Sequence, residues 1–150
     1  MSRMQLFLST LSFDAEGQGE KSEYTYMGHY EERGPTCRLR WQREEGGSVT
    51  RHLLTFAKGA PQVVTLCQTG GSEVEMRFAV GEGQTGLYRV AGAGELPFTL
   101  VTERVENALS PAGGRLSLSY EMHVGGVRQH IHLRLSATCC AGEEKGEGPC

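Results

Sequence analysis

Residues 120–135, YEMHVGGVRQHIHLRL, gather His123, His130, His132, Glu121, Arg128 and Arg134 around Gly125 and Gly126. Histidines two apart on a strand project from one face about 7 Å apart, so His130 and His132 can grip a transition metal, with Glu121 or His123 as a third ligand. A metal held there would activate water, which makes a metal-dependent enzyme one reading of the stretch. The residues sort differently if Gly125 and Gly126 form a two-residue primed turn. Leu116 then faces Leu135, Leu118 faces Leu133 and Tyr120 faces Ile131 on one side. On the other, Ser117 faces Arg134, Ser119 faces His132, Glu121 faces His130 and His123 faces Arg128. One dry face and one wet face are what a half-buried antiparallel hairpin produces, and Glu121 opposite His130 reads as a cross-strand charge pair. His130, His132 and Glu121 are then weak metal candidates on a solvated surface, and neither a metal nor a cofactor is expected.

Other chemical motifs lose force in context. Gly81-Glu-Gly83-Gln-Thr-Gly86 matches the dinucleotide fingerprint, but that loop must open a helix, and LYRV followed by Gly92 reads as a Gly-rich hairpin. Cys37-Arg-Leu-Arg-Trp-Gln-Arg43, with Arg51 beyond the next turn, interleaves arginines with an aromatic in the manner of a single-strand nucleic-acid platform. Strand parity separates Arg38 and Arg40 from Leu39 and Trp41, and Glu31, Glu32, Glu44 and Glu45 cancel the local field, so no nucleic-acid partner is expected. The chain lacks a G-x-S-x-G elbow and an HExxH helix, and Asp14 is its only aspartate. No catalytic residue is assigned.

Tyr24, Tyr26 and Tyr30 share a strand face with Gly28, while Tyr88 and Tyr120 share faces with Val90 and Leu118. Phenols turned inward fill a small barrel or serve as polar handles in a cavity. The interior candidates for ligand binding are Tyr26, Tyr30, Trp41, Phe78, Tyr88, Leu118 and Tyr120.

The elements that must hold these residues are strands. Turn signals recur at residues 16–19, 33–35, 44–48, 58–61, 69–71, 81–83, 92–94, 110–114 and 125–126, and the segments between them alternate apolar and polar residues, as in Val74, Met76, Phe78 and Val80. Twenty-one glycines in 150 residues fit that punctuation. VTERVENALS, residues 101–110, reads as a strand running into a loop instead of a helix. The expected fold is all-β, a single antiparallel up-and-down barrel of about eight to ten strands over residues 1–138, with residues 139–150 a disordered Cys/Gly/Glu tail.

A net charge of −3 gives no long-range pull toward phosphate or anionic lipid. No apolar run is long enough to span a bilayer, and MSRMQLFLSTLSFD alternates instead of building a signal-peptide core. A cytoplasmic protein without a membrane partner is expected. Five cysteines, an odd number without CxxC spacing, point to reduced thiols.

A family likeness lies in Arg77-Phe78 with Gly81, Tyr88, Gly94-Glu95-Leu96, and most densely Gly114-Arg-Leu-Ser-Leu-Ser-Tyr-Glu-Met-His-Val-Gly125 followed by His130-x-His132. These segments resemble the YwiB-like family of uncharacterised bacterial proteins, whose fold is a calycin-type, lipocalin-like β-barrel. The resemblance covers most of residues 4–138 and departs from the family pattern at Val90-Ala91-Gly92-Ala93 and in the Cys-rich tail. It implies the barrel and transfers no functional residue. The leading expectation is a non-enzymatic barrel binding a small apolar molecule in its interior. The alternative is a solid barrel that binds a protein partner through the polar face of the last hairpin or through Arg38 and Arg40. The metal-dependent enzyme at His130 and His132 comes third.

Overall fold

The computed structural model describes residues 2–90 and 92–140; of the tail expected over 139–150, Cys139 belongs to the last strand and residues 141–150 lie outside the described residues. Ten strands follow one another: β1 (Ser2–Phe13), β2 (Gly19–Arg33), β3 (Thr36–Glu45), β4 (Ser48–Ala57), β5 (Ala60–Gly70), β6 (Ser72–Phe78), β7 (Gly83–Val90), β8 (Gly94–Asn107), β9 (Gly113–Val124) and β10 (Val127–Cys139). Each pairs antiparallel with its neighbour in sequence and β1 pairs with β10, closing the barrel. Closure satisfies the backbone groups that an open sheet leaves at its edges. Among the described residues no helix is long and apolar enough to cross a membrane.

Alternation builds the core. Met4 and Leu6 of β1, Leu39 and Trp41 of β3, Leu54 and Phe56 of β4, Val64 and Leu66 of β5 and Leu116, Leu118 and Tyr120 of β9 all turn inward and are buried. The last hairpin has the pairing expected from its turn, with Leu118 opposite Leu133 and Ser119 opposite His132. Gly125 and Gly126 take φ of 56° and 83°, the left-handed pair that a primed turn requires. Gly28 is needed for space: a Cβ there would lie 2.6 Å from Leu6 Cδ1 and 2.8 Å from the Arg40 carbonyl oxygen. On β8 the pairing shifts between Thr102 and Arg104, so Thr102 and Val105 both reach the interior although their parities differ.

The two ends of the barrel are finished differently. At the end carrying the connections 34–35, 58–59, 79–82 and 108–112, Leu109 is buried with the core, and the Gly81 and Thr102 amides donate to Thr102 and Glu82 carbonyls. Gln62 exchanges two hydrogen bonds with the Asn107 backbone, and the Asn107 amide donates to the Pro61 carbonyl. This end is closed. At the other end the inward residues Leu8, Tyr24, Tyr26, His52, Tyr88, Val124 and Ile131 are only half-buried. The wall also parts here, since β2 and β3 pair only through His29–Arg33 with Thr36–Arg40, although both strands run on toward the open end.

Candidate functional site

The seven interior candidates divide between the centre and the open end. Phe78, Leu118 and Tyr120 are 0%, 1% and 5% exposed, and the Phe78 and Tyr120 rings pack with centroids 4.8 Å apart. Burial pushes the Tyr120 hydroxyl above its usual ionisation range. Tyr30 is buried near the closed end, where its hydroxyl donates to Glu32 at 3.3 Å and Lys58 pairs with the same carboxylate at 3.2 Å. These four residues are packed or already partnered. Trp41, Tyr26 and Tyr88 lie toward the open end, with Tyr26 and Tyr88 only partly buried against the core.

Around Tyr26 and Trp41 the fold assembles a row of rings. Tyr24 stacks on Tyr26 at 6.0 Å, Tyr26 leans on Trp41 at 6.4 Å, and Trp41 stacks on His52 at 5.1 Å with ring planes 7° apart. The rings come from β2, β3 and β4, the strands beside the parted wall. Arg43 completes the group: its guanidinium carbon sits 4.6 Å above the Tyr24 ring centre, and its Nη2 donates to the Tyr24 hydroxyl at 3.5 Å and to Glu45 at 2.9 Å. Burial, and the Arg43 charge after it, hold His52 near pKa 4, so its ring is neutral at pH 7. Burial also raises the Tyr26 hydroxyl, with Arg43 opposing the rise. Trp41 Nε1 is buried without a hydrogen-bond partner. The result is a stack of rings with Arg43 against Tyr24 and His52 against Trp41.

Arg43, His52 and Tyr24 were not among the interior candidates, though parity reveals them. Arg43 shares its face with Leu39 and Trp41, and His52 shares its face with Leu54 and Phe56. Grouping Arg43 with Arg38 and Arg40 by residue type hid that. Arg38 and Arg40 lie on the opposite side of β3 from Leu39 and Trp41.

The polar face of the last hairpin points outward, with pairings that differ from the expected ones. Glu121 is opposite His130 in register, yet its carboxylate takes Arg128 at 2.7 Å and His123 at 3.4 Å. His130 instead meets Glu103 at 2.5 Å, reached across β9 from the bulge of β8. His132 shares a 2.7 Å hydrogen bond with Ser119 and stacks on His130 with centroids 5.0 Å apart. Each group already has a protein partner, and among the described residues no three or more His, Cys, Asp or Glu are placed to hold a metal ion. Beside this face lies a shallow depression of about 340 Å³ bordered by Thr85, Pro97, Thr99, His123 and Gly125, with Leu87, Val101 and Val127 exposed nearby.

Cys37, Cys67 and Cys140 carry free thiols and Cys37 is buried in β3, whereas Cys139 is disulfide-bonded, against the expectation of reduced thiols throughout.

Comparison with known proteins addresses fold and kinship. A family model described as "Domain of unknown function (DUF1934)" matches residues 8–135. The chain is 25% identical over 117 residues to the "Uncharacterized beta-barrel protein YwiB" of Bacillus subtilis (strain 168), spanning 78% of this chain and 80% of that protein. Its fold matches the crystal structure of the ywiB protein from Bacillus subtilis with a TM-score of 0.81, over 92% of each chain at 20% identity.

Proposed function

This chain belongs to the DUF1934 family, and from that premise we propose that it is a non-enzymatic binding protein that takes a small, mostly apolar molecule at the open end of its barrel. The observation that carries this reading is the continuous row of Tyr24, Tyr26, Trp41 and His52 rings, half-buried except for Trp41, where β2 and β3 separate. Aromatic side chains left partly wet at the mouth of a barrel are released from water by a ligand that covers them, at roughly 25 cal/mol per Å².

Native mass spectrometry of protein purified from its own cells tests the proposal. An adduct of a few hundred daltons that is lost in the Tyr24→Ala/Tyr26→Ala variant is the expected result, whereas an adduct retained in that variant would place the ligand elsewhere. A bare mass would favour the second reading, a barrel that docks a protein partner on its outside. That reading is favoured by the depression beside His123, where exposed Leu87, Val101 and Val127 adjoin the charged groups of the last hairpin.

A further inference from the structure

We propose that the acidic segment following the last strand, residues 141–150, docks on the outer face of β1, β2 and β3 at the closed end, its glutamates Glu143, Glu144 and Glu147 meeting a patch made by Arg3, Arg38 and Arg40. The contact is separate from the open mouth and gives the outside of the barrel an occupant from its own chain.

The patch is built by register. Arg3 of β1 lies opposite His29 of β2, and His29 lies opposite Arg40 of β3; two residues further along, Glu31 lies opposite Arg38. These positions alternate with the buried Met4, Tyr30 and Leu39, so their side chains project from the outer surface. Arg33 continues the same face of β2 and donates to Glu31 at 3.0 Å. That bond, with the charges of Arg33, Arg40 and Arg38, holds the Glu31 carboxyl below the usual carboxylate range. Four arginines thus share a face with one glutamate. The other acids close in sequence are occupied elsewhere, Glu32 by Lys58 and Glu45 by Arg43 at the open end, so the local cancellation expected from the sequence does not hold on this face.

The fold delivers the segment to the patch. The Cys140 amide donates to the Arg3 carbonyl at 3.0 Å, and Cys140 Sγ meets Met27 Sδ of β2 at 3.7 Å. The chain therefore leaves the described residues beside Arg3, leaning across β1 onto the outside of β2. Neighbouring strands are about 4.8 Å apart, which puts β3 roughly 15 Å from β10 across the sheet. Extended chain advances up to about 3.5 Å per residue, so Glu143 to Glu147 span the distances from Arg3 to Arg40.

Charge decides what the segment can offer. AGEEKGEGPC carries three glutamates against one lysine and no large apolar side chain, while its glycines let the backbone follow a curved surface. A single exposed carboxylate–arginine pair is weak, but three carboxylates tethered beside their partners act at high effective concentration.

The test compares the full chain with E143Q/E144Q/E147Q at low ionic strength, by amide NMR and by titration with hexaglutamate. Amide shifts between the two proteins are expected to centre on Arg3, His29, Arg38 and Arg40 and to fade in about 0.5 M salt. Hexaglutamate should bind at least about threefold tighter to the variant, whose patch is uncovered, and adding Arg38→Gln and Arg40→Gln to that variant should remove the gain. Unchanged patch amides, or equal hexaglutamate affinities in the two proteins, would overturn the proposal and leave the patch open to a separate acidic partner. A gain that survives Arg38→Gln and Arg40→Gln would overturn it too, by placing the segment on another face.

Discussion

The closed and open ends of this barrel are made by the same ten strands under the same alternation, yet they are finished in opposite ways. At the closed end and centre Leu6, Val64, Phe78, Leu116 and Leu135 are at most 1% exposed, and the loops are tied down by backbone and amide hydrogen bonds. At the open end the inward positions carry half-buried tyrosines and a histidine beside Arg43, and Trp41 Nε1 is buried without a hydrogen-bond partner. Alternation decides which residues turn inward, and the identity of those residues decides whether the space is sealed. Stability is concentrated where the packing is complete, and binding is proposed where it is not.

The contrast predicts unequal costs of truncation. Leu118→Ala at the centre should lower unfolding free energy by about 3 kcal/mol, whereas Tyr24→Ala at the mouth should cost less than about 1 kcal/mol. Urea denaturation of the two variants measures this through the shift in midpoint at unchanged slope. Equal losses would mean that the rings of the mouth are part of the structural core. Gly28→Ala should follow at about 2 kcal/mol, because the new methyl group meets both Leu6 and the Arg40 carbonyl, and the same melts measure it.

A smaller effect comes from pH. His52 ordinarily titrates near 6.5, and burial together with Arg43 holds it near 4 in the folded protein. Between those values the unfolded chain binds the proton and the folded one does not. The contribution is therefore complete above about pH 6.5 and is lost as pH falls toward 4. Because the ring is partly exposed, about 1 kcal/mol is expected after solvent screening. Unfolding midpoints at pH 7 and pH 5 should differ more in the unaltered protein than in His52→Gln. The smallest effect belongs to the outer face: Arg128→Gln removes an exposed ion pair with Glu121 and should change stability by less than about 0.5 kcal/mol in the same assay.

Much of the architecture was legible in the sequence, because glycine-marked turns and period-two alternation are local signals. All nine turn signals fall at strand connections, and the register of the last hairpin follows from its two-residue turn. The bulge between Thr102 and Arg104 was not legible, since one extra residue in a strand leaves no mark in composition. That bulge aims Glu103 across β9 at His130, which is why Glu121 pairs with Arg128 and His123 instead. The inward tyrosines were legible by parity, but their division into a packed centre and an open mouth depends on where β2 and β3 part, a tertiary property. Arg43 and His52 could have been read from the faces they share with Leu39 and Leu54, had parity been applied to charged residues as strictly as to apolar ones.

The most direct test is a methyl NMR titration with naphthalene as a small apolar probe, which reads both ends of the barrel in one spectrum. Shifts confined to Leu8, Val124 and Ile131, with Leu6, Leu116 and Leu135 unmoved, are the predicted result. Shifts centred on Leu116 and Leu135, or on the outward Leu87 and Val127, would contradict it.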